Sequence, residues 1–239
     1  MEALEKLQEM VTNSHRIVFF GGAGVSTESG LPDFRSVDGL YNQFWDYPPE
    51  TMLSHPFFLR EPEIFFKFYR EKMIYPDAAP NPAHRALAAW EEAGKLSCVI
   101  TQNIDGLHQA AGSKNVLELH GSVHQNACMR CKKAYGLKTI MQSPGVPRCD
   151  CGGIIKPNVV LYEEPLDDGV MDRASREITG ADMLLIGGTS LAVYPAAGLV
   201  RYFSGKYIAV VNKMPTPMDD QADVVIPMPI GQTLEKIHF

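Results

Sequence analysis

Residues 16–30 read RIVFFGGAGVSTESG, an apolar run closed by Gly21, Gly22 and Gly24. A short continuous apolar run bounded by glycines reads as a strand buried on both faces, and such strands belong in parallel sheets. The turn leads toward a helix start, where backbone N–H groups can cradle a pyrophosphate and where Gly22 and Gly24 remove the Cβ in the way of the phosphates. A plain strand-to-helix turn explains the same residues. The pattern G-x-G-x-x-G is incomplete, because Thr27 stands at the third glycine position. A hydride-transferring enzyme also carries an acidic residue at the end of the second strand, about 20 residues on. Here that region is DFRSVDGLYNQFW, which is not a strand, so a dinucleotide would have to be held differently.

Outward from this turn, helix and strand patterns alternate. Leu4, Leu7 and Val11 form the apolar stripe of a first helix, and Ala83 to Ala93 form another, stopped by Gly94. SCVIT, VLEL, NVVLY, ADMLLIGG and YIAVVN are strand candidates, with helical segments near Met171 to Ile178 and Pro195 to Phe203. The fold class is therefore α/β, with a mainly parallel sheet covered on both faces. Residues 31–80 and 124–155 break the rhythm and read as insertions that build a smaller lobe. Ligand sites favour the crevice between such lobes, at the carboxyl ends of the parallel strands.

At 239 residues the chain can bury a full core. A net charge of -6 argues against generic DNA binding, although Arg130, Lys132 and Lys133 form a local basic patch. The N-terminus has no secretory pattern and no run reaches the roughly 18 apolar residues of a membrane span, so a cytoplasmic protein is expected. Of five cysteines, Cys98 sits in a strand-type run and reads as a small buried hydrophobe. Cys128-x2-Cys131 and Cys149-x-Cys151 are two close pairs, the pattern of a structural zinc closed by four thiolates. His120 and His124 are then not needed as ligands, and the Gly-Ser-Val between them opposes a helical zinc pair.

Taken in order, GAGVSTESGLPDFRS, TQNIDGLH, the LHG before the four-cysteine module, GTSLAVYPAA and VVN resemble the sirtuin family of NAD-dependent protein deacylases, bacterial deacetylase-type members most of all. The resemblance covers nearly the whole chain. It implies a Rossmann-like large domain made of residues 1–30, 81–121 and 160–239, a helical module with the cofactor loop at 31–80, and a zinc module at 122–159. NAD would be the co-substrate, with one structural zinc per chain and acetyl-lysine proteins as substrates. Gly22, Ala23, Gly24, Ser26, Thr27, Asp33, Phe34 and Arg35 would hold the pyrophosphate and nicotinamide ends. Gln102, Asn103, Ile104 and Asp105 would surround the nicotinamide ribose and its amide, and Gly188, Thr189, Ser190 and Asn212 the adenosine half. Val160, Leu161, Tyr162 and Val193 would line the peptide, which could add as a strand.

The family mechanism suits these residue types. The acyl oxygen attacks C1′ of the ribose, nicotinamide leaves as its carboxamide is gripped near Asp105 and Asn103, and neutral His120 takes a ribose hydroxyl proton. The products are nicotinamide, O-acetyl-ADP-ribose and free lysine. Phe66 and Tyr69 stand where members that remove acidic acyl groups carry Tyr-x-x-Arg, which favours uncharged acyl groups. Tyr162-Glu163-Glu164 replaces an aromatic-Gly-Glu turn, and His124 has no assigned role. Rival readings are an ordinary NAD(H) oxidoreductase, a zinc-ribbon nucleic-acid-binding scaffold and, within the family, mono-ADP-ribosyl transfer. A monomer without a nucleic-acid or membrane partner is expected.

Overall fold

The computed structural model describes residues 2–34, 39–42 and 45–238. Six strands, β1 (Ile17–Gly21), β2 (Leu96–Thr101), β3 (Val116–Glu118), β7 (Met183–Gly187), β8 (Tyr207–Val211) and β9 (Val224–Ile226), make one sheet in the order β3-β2-β1-β7-β8-β9. Every pairing in it is parallel. The strand order reverses between β1 and β7, and at such a switch point loops leave in opposite directions and open a crevice. The apolar run of β1 is buried throughout because each face has its own core. Ile17 and Phe19 join the cluster under the helices Glu2–Asn13, Pro82–Glu92 and Ile230–Leu234. Val18 and Phe20 join the one under Asp168–Thr179 and the 3-10 segment Ala196–Tyr202.

The second sheet, β4 (Gly121–Cys128), β5 (Ala134–Gly136) and β6 (Ile155–Val159), is antiparallel in the order β5-β4-β6. NVVLY, expected among the strands of the main sheet, instead ends β6 and then leaves the small sheet. Its alternation of buried and exposed positions, with Pro157 and Asn158 inside it, suits a half-covered antiparallel strand. β9, three residues long, was below what pattern reading detects. The glycine turn also departs from expectation: two 3-10 turns, Ala23–Val25 and Thr27–Ser29, replace a helix start.

The two insertions share one core. Phe57, Phe58, Phe65, Phe66, Phe68 and Tyr69 from the helices His55–Arg60 and Pro62–Lys72 pack in the same cluster as Val123, Ile140, Ile155 and Val159 of the cysteine-bearing module. Phe66 and Tyr69 are fully buried there, so neither position presents a cation or any charged group. Arg70 donates to the Ile140 carbonyl at 2.8 Å and ties the modules further.

Gly121 starts the small sheet at φ 73, and a Cβ there would lie 1.8 Å from the Asn158 carbonyl oxygen. Gly121→Ala is expected to lower stability by about 2–4 kcal/mol, combining left-handed strain with a forced separation of β4 and β6. Urea unfolding would show a lower midpoint at unchanged slope.

Candidate active site and metal centre

The turns after β1 and β7 touch. The Gly24 amide donates to the Gly188 carbonyl at 2.8 Å, and a Cβ on Gly24 would lie 2.8 Å from Gly188 backbone. Gly188 has φ 58, and a Cβ on it would come within 2.3 Å of the Val25 amide nitrogen. Gly22 faces Thr189 in the same contact. The glycines thus serve backbone-to-backbone approach between two turns, a demand separate from both the phosphate cradle and the plain turn that the sequence suggests. Thr27, at the third glycine position, bonds back to the Gly24 carbonyl at 3.0 Å.

Polar groups converge where these turns meet the end of β2. Asn103 Nδ2 donates to Ser26 Oγ at 3.1 Å, and Ser26 Oγ donates to Asp105 Oδ2 at 2.7 Å. The Leu107 amide donates to Asp105 Oδ1 at 2.9 Å. Ser26 and Asn103 are buried, so this chain of donors holds one rotamer of the Asp105 carboxylate. Gln102 Nε2 donates to Thr189 Oγ1 at 3.0 Å and ties the β2 loop to the β7 loop.

His120 stands between β3 and β4. Its Nδ1 lies 3.0 Å from the Gln102 carbonyl oxygen, which can only accept, so Nδ1 carries the proton and Nε2 offers a lone pair. Burial lowers its pKa, partly opposed by that backbone bond, so the neutral base dominates near pH 7. His124 has a structural post. The β4–β6 register breaks between Ser122 and Asn126, and this bulge turns His124 so that Nε2 donates to the Asp105 carbonyl at 2.9 Å. Its ring covers Gly106, where a Cβ would lie 2.7 Å away.

The remaining expected residues divide. Asp33 and Phe34 belong to a loop closed by the Leu40 and Tyr41 amides, which donate to their carbonyls at 2.8 and 3.0 Å. Arg35 lies outside the described residues. Ser190 is exposed beside Thr189, and Asn212, past the end of β8, donates from Nδ2 to the Met214 carbonyl. Ile104 accepts from the Val123 amide, linking the loop to β4. The Val160 amide donates to His120 O, Leu161 to Glu164 Oε2 and Tyr162 to Leu53 O. These three N–H groups are therefore engaged within the chain, which limits the expected strand addition. Val193 is half-buried before the Ala196–Tyr202 segment.

Asn81 and His84 were missed, although Asn-Pro before a helix is a start signal. Asn81 caps Pro82–Glu92 in a capping box with His84, and its Nδ2 donates to the Val25 carbonyl at 2.7 Å, fixing the glycine turn to the helix. His84 and His108 meet edge to face, centroids 4.7 Å apart, both buried. Burial lowers His84 to about 4 and His108 to about 3.

The Sγ atoms of Cys128, Cys131, Cys149 and Cys151 lie within 4.8 Å of one another, with Cys128–Cys151 and Cys131–Cys149 at 3.5 Å. Tetrahedral zinc with bonds of about 2.3 Å needs sulfurs about 3.8 Å apart, so the set fits. The Cys151 backbone amide lowers Cys149 to about 6, and the Cys131 amide lowers Cys128. Cys131, despite the Lys133 amide aimed at it, is pushed up to about 12 by the three neighbouring thiols. Four thiols so close shed all their protons only around a cation. Cys98 is buried away from them with its thiol pushed up to about 12, an inert core residue.

The model of the Sir2 family matches residues 22–195. The chain belongs to the Sir2 family. An NAD-dependent protein deacetylase of Clostridium acetobutylicum is 57% identical, over 99% of this chain and 98% of that one. A solved Sir2 homologue in complex with NAD is 40% identical with a TM-score of 0.88, covering 97% of this chain and 91% of the other. A Sir2 structure with a deacetylated p53 peptide and 3′-O-acetyl ADP ribose is 38% identical with a TM-score of 0.89, covering 97% and 95%. This Sir2 protein shares its fold with both solved relatives over nearly the whole chain.

Two outcomes are expected. Metal analysis of the purified Sir2 protein should find about one zinc per chain, with Cys149→Ser falling well below half an equivalent and loosening the small lobe in hydrogen exchange. Histidines held neutral in the fold also set a sign. Below the ordinary value of 6.5 the unfolded chain gains protons that His84 and His108 refuse until about 4 and 3, so stability present above pH 6.5 is lost as pH falls through that window. Urea midpoints against pH measure this, and His108→Phe should flatten the slope.

Proposed function

We infer that this protein removes acetyl groups from lysine side chains of proteins, consuming NAD and releasing nicotinamide, O-acetyl-ADP-ribose and free lysine. The observation that carries this reading is a base and a clamped carboxylate in one crevice: His120 with Nδ1 committed to a carbonyl, and Asp105 held by Ser26 and Leu107. A 57% identical NAD-dependent protein deacetylase spanning the same length supports it.

The donor set suits the co-substrate. Hydroxyls of Ser26 and Thr189, amides of Gln102 and Asn103 and the Asp105 carboxylate match ribose hydroxyls and a neutral carboxamide, and none supplies the second-strand acid of a dehydrogenase. Bound NAD supplies an electrophilic ribose carbon with nicotinamide as its leaving group. In our assignment Asp105, Asn103 and Ile104 receive the carboxamide, with Gln102 beside the ribose. Gly22, Ala23, Gly24, Ser26, Thr27, Asp33, Phe34 and Arg35 hold the pyrophosphate side, and Gly188, Thr189, Ser190 and Asn212 the adenosine side. His120 Nε2 takes the proton of a ribose hydroxyl, a transfer worth about 10²–10⁴-fold in rate. Because the amides of residues 160–162 are engaged, the peptide meets Val160, Leu161, Tyr162 and Val193 through side chains and carbonyls. The zinc held by the four cysteines is structural, since a closed thiolate site leaves no open position.

The division into 1–30 with 81–121 and 160–239, 31–80, and 122–159 is the domain reading that this assignment uses. We also read the protein as a cytoplasmic monomer without a nucleic-acid partner. The support is a net charge of -6 and, among the described residues, no helix long and apolar enough to cross a membrane.

His120→Ala should cut formation of the free-lysine peptide from NAD and an acetyl-lysine peptide at least 100-fold while circular dichroism and thermal midpoint stay near the parent. Mass spectrometry of the products distinguishes deacetylation from ADP-ribosyl transfer to the peptide. Retained full turnover would overturn the role of His120.

A further inference from the structure

The turn Tyr162-Glu163-Glu164 is held by several independent contacts. Glu164 accepts from the Leu161 amide at 2.8 Å and from Lys156 Nζ at 3.0 Å, and it meets His55 Nδ1 at 2.6 Å. The Tyr162 hydroxyl bonds to that of Tyr41, and the Tyr162 backbone bridges in parallel to Ser54. Between these anchors Glu163 adopts φ 71, the left-handed region that favours glycine and costs an L-residue on the order of 1 kcal/mol. The Glu163 side chain is exposed and has no hydrogen bond or ion pair among the described residues. Glu164 next to it pairs with the Lys156 ammonium and bonds to His55 Nδ1, so among the described residues Glu163 is the carboxylate of this turn that has no partner. It directly follows Val160–Tyr162, the wall assigned to the peptide. The Arg201 guanidinium, a cation eight residues past Val193, is already engaged: it lies over the Tyr194 ring and donates to its hydroxyl at 3.3 Å.

We propose that Glu163 is a specificity-determining residue, selecting protein substrates with a lysine or arginine close in sequence to the acetylated lysine. The inference rests on the deacetylase reading and adds a preference to it. A carboxylate on a fixed turn needs no backbone ordering to pair with a cation, and an exposed pair of this kind shifts selectivity by about two- to fivefold. Salt screens it over a Debye length of about 8 Å in physiological buffer.

The test uses the full chain with NAD and acetyl-lysine peptides that differ only in carrying Arg, Gln or Glu within two residues of the acetyl-lysine. The parent should show kcat/KM about two- to fivefold higher for the Arg than for the Glu peptide, with the ratio falling toward one in added salt. Glu163→Gln should bring the ratio near one, and Glu163→Lys should reverse it. Glu163→Gly, which suits φ 71 and folds without strain, should also lose the preference. Ratios that stay at the parent value in the Gln and Gly variants would overturn the proposal while the deacetylase reading stands. Absence of deacetylation of every peptide by the parent would overturn both.

Discussion

The contact between the Gly24 amide and the Gly188 carbonyl is the constraint on which the site depends. It joins the turns of neighbouring strands at the point where the order of the sheet reverses, and a side chain on either residue would force the strand ends apart. With the turns in contact, Ser26 reaches Asp105 and Gln102 reaches Thr189. Asn81 then anchors the same turn from the side through the Val25 carbonyl. A crevice lined by three strand ends is thereby made rigid before any ligand enters, which lowers the cost of ordering at binding.

The second lobe solves a different problem. The aromatic helices and the cysteine-bearing sheet bury their apolar residues together in one cluster. The cysteine centre closes the far end of β4, whereas His120 precedes its near end. Through β4 the scaffold of the small lobe and the base of the crevice are one continuous element, and the bulge in it sends His124 to the Asp105 carbonyl. The histidine that lacked a role in the sequence is a brace on the loop that carries the carboxylate.

The buried strands of the main sheet, the helices beside them and the cysteine quartet were legible because each has a local signature: an apolar run, a 3.6-residue stripe or paired thiols. NVVLY misled because a strand half-covered in a small antiparallel sheet and one buried in a parallel sheet differ in their neighbours more than in their composition. The hydrogen-bonding of 160–162 was invisible for the same reason, since amide partners such as His120 O and Leu53 O lie far along the chain. The Asn81-His84 capping box has a local signature in Asn-Pro before a helix, whereas the bond from Asn81 to the Val25 carbonyl spans 56 residues and has none.

The sequence by itself determined the parallel α/β class, the four thiolates of the metal centre and, through the joint occurrence of short motifs, membership of the Sir2 family. These depend on residue type and spacing, which local chemistry constrains. Only the tertiary structure decided why Gly24 and Gly188 are glycines, which nitrogen of His120 carries the proton, what His124 braces and that Glu163 is held in a left-handed turn with its carboxylate unpaired among the described residues. Each of those is a relation between residues distant in the chain, and it exists only once packing has fixed both partners.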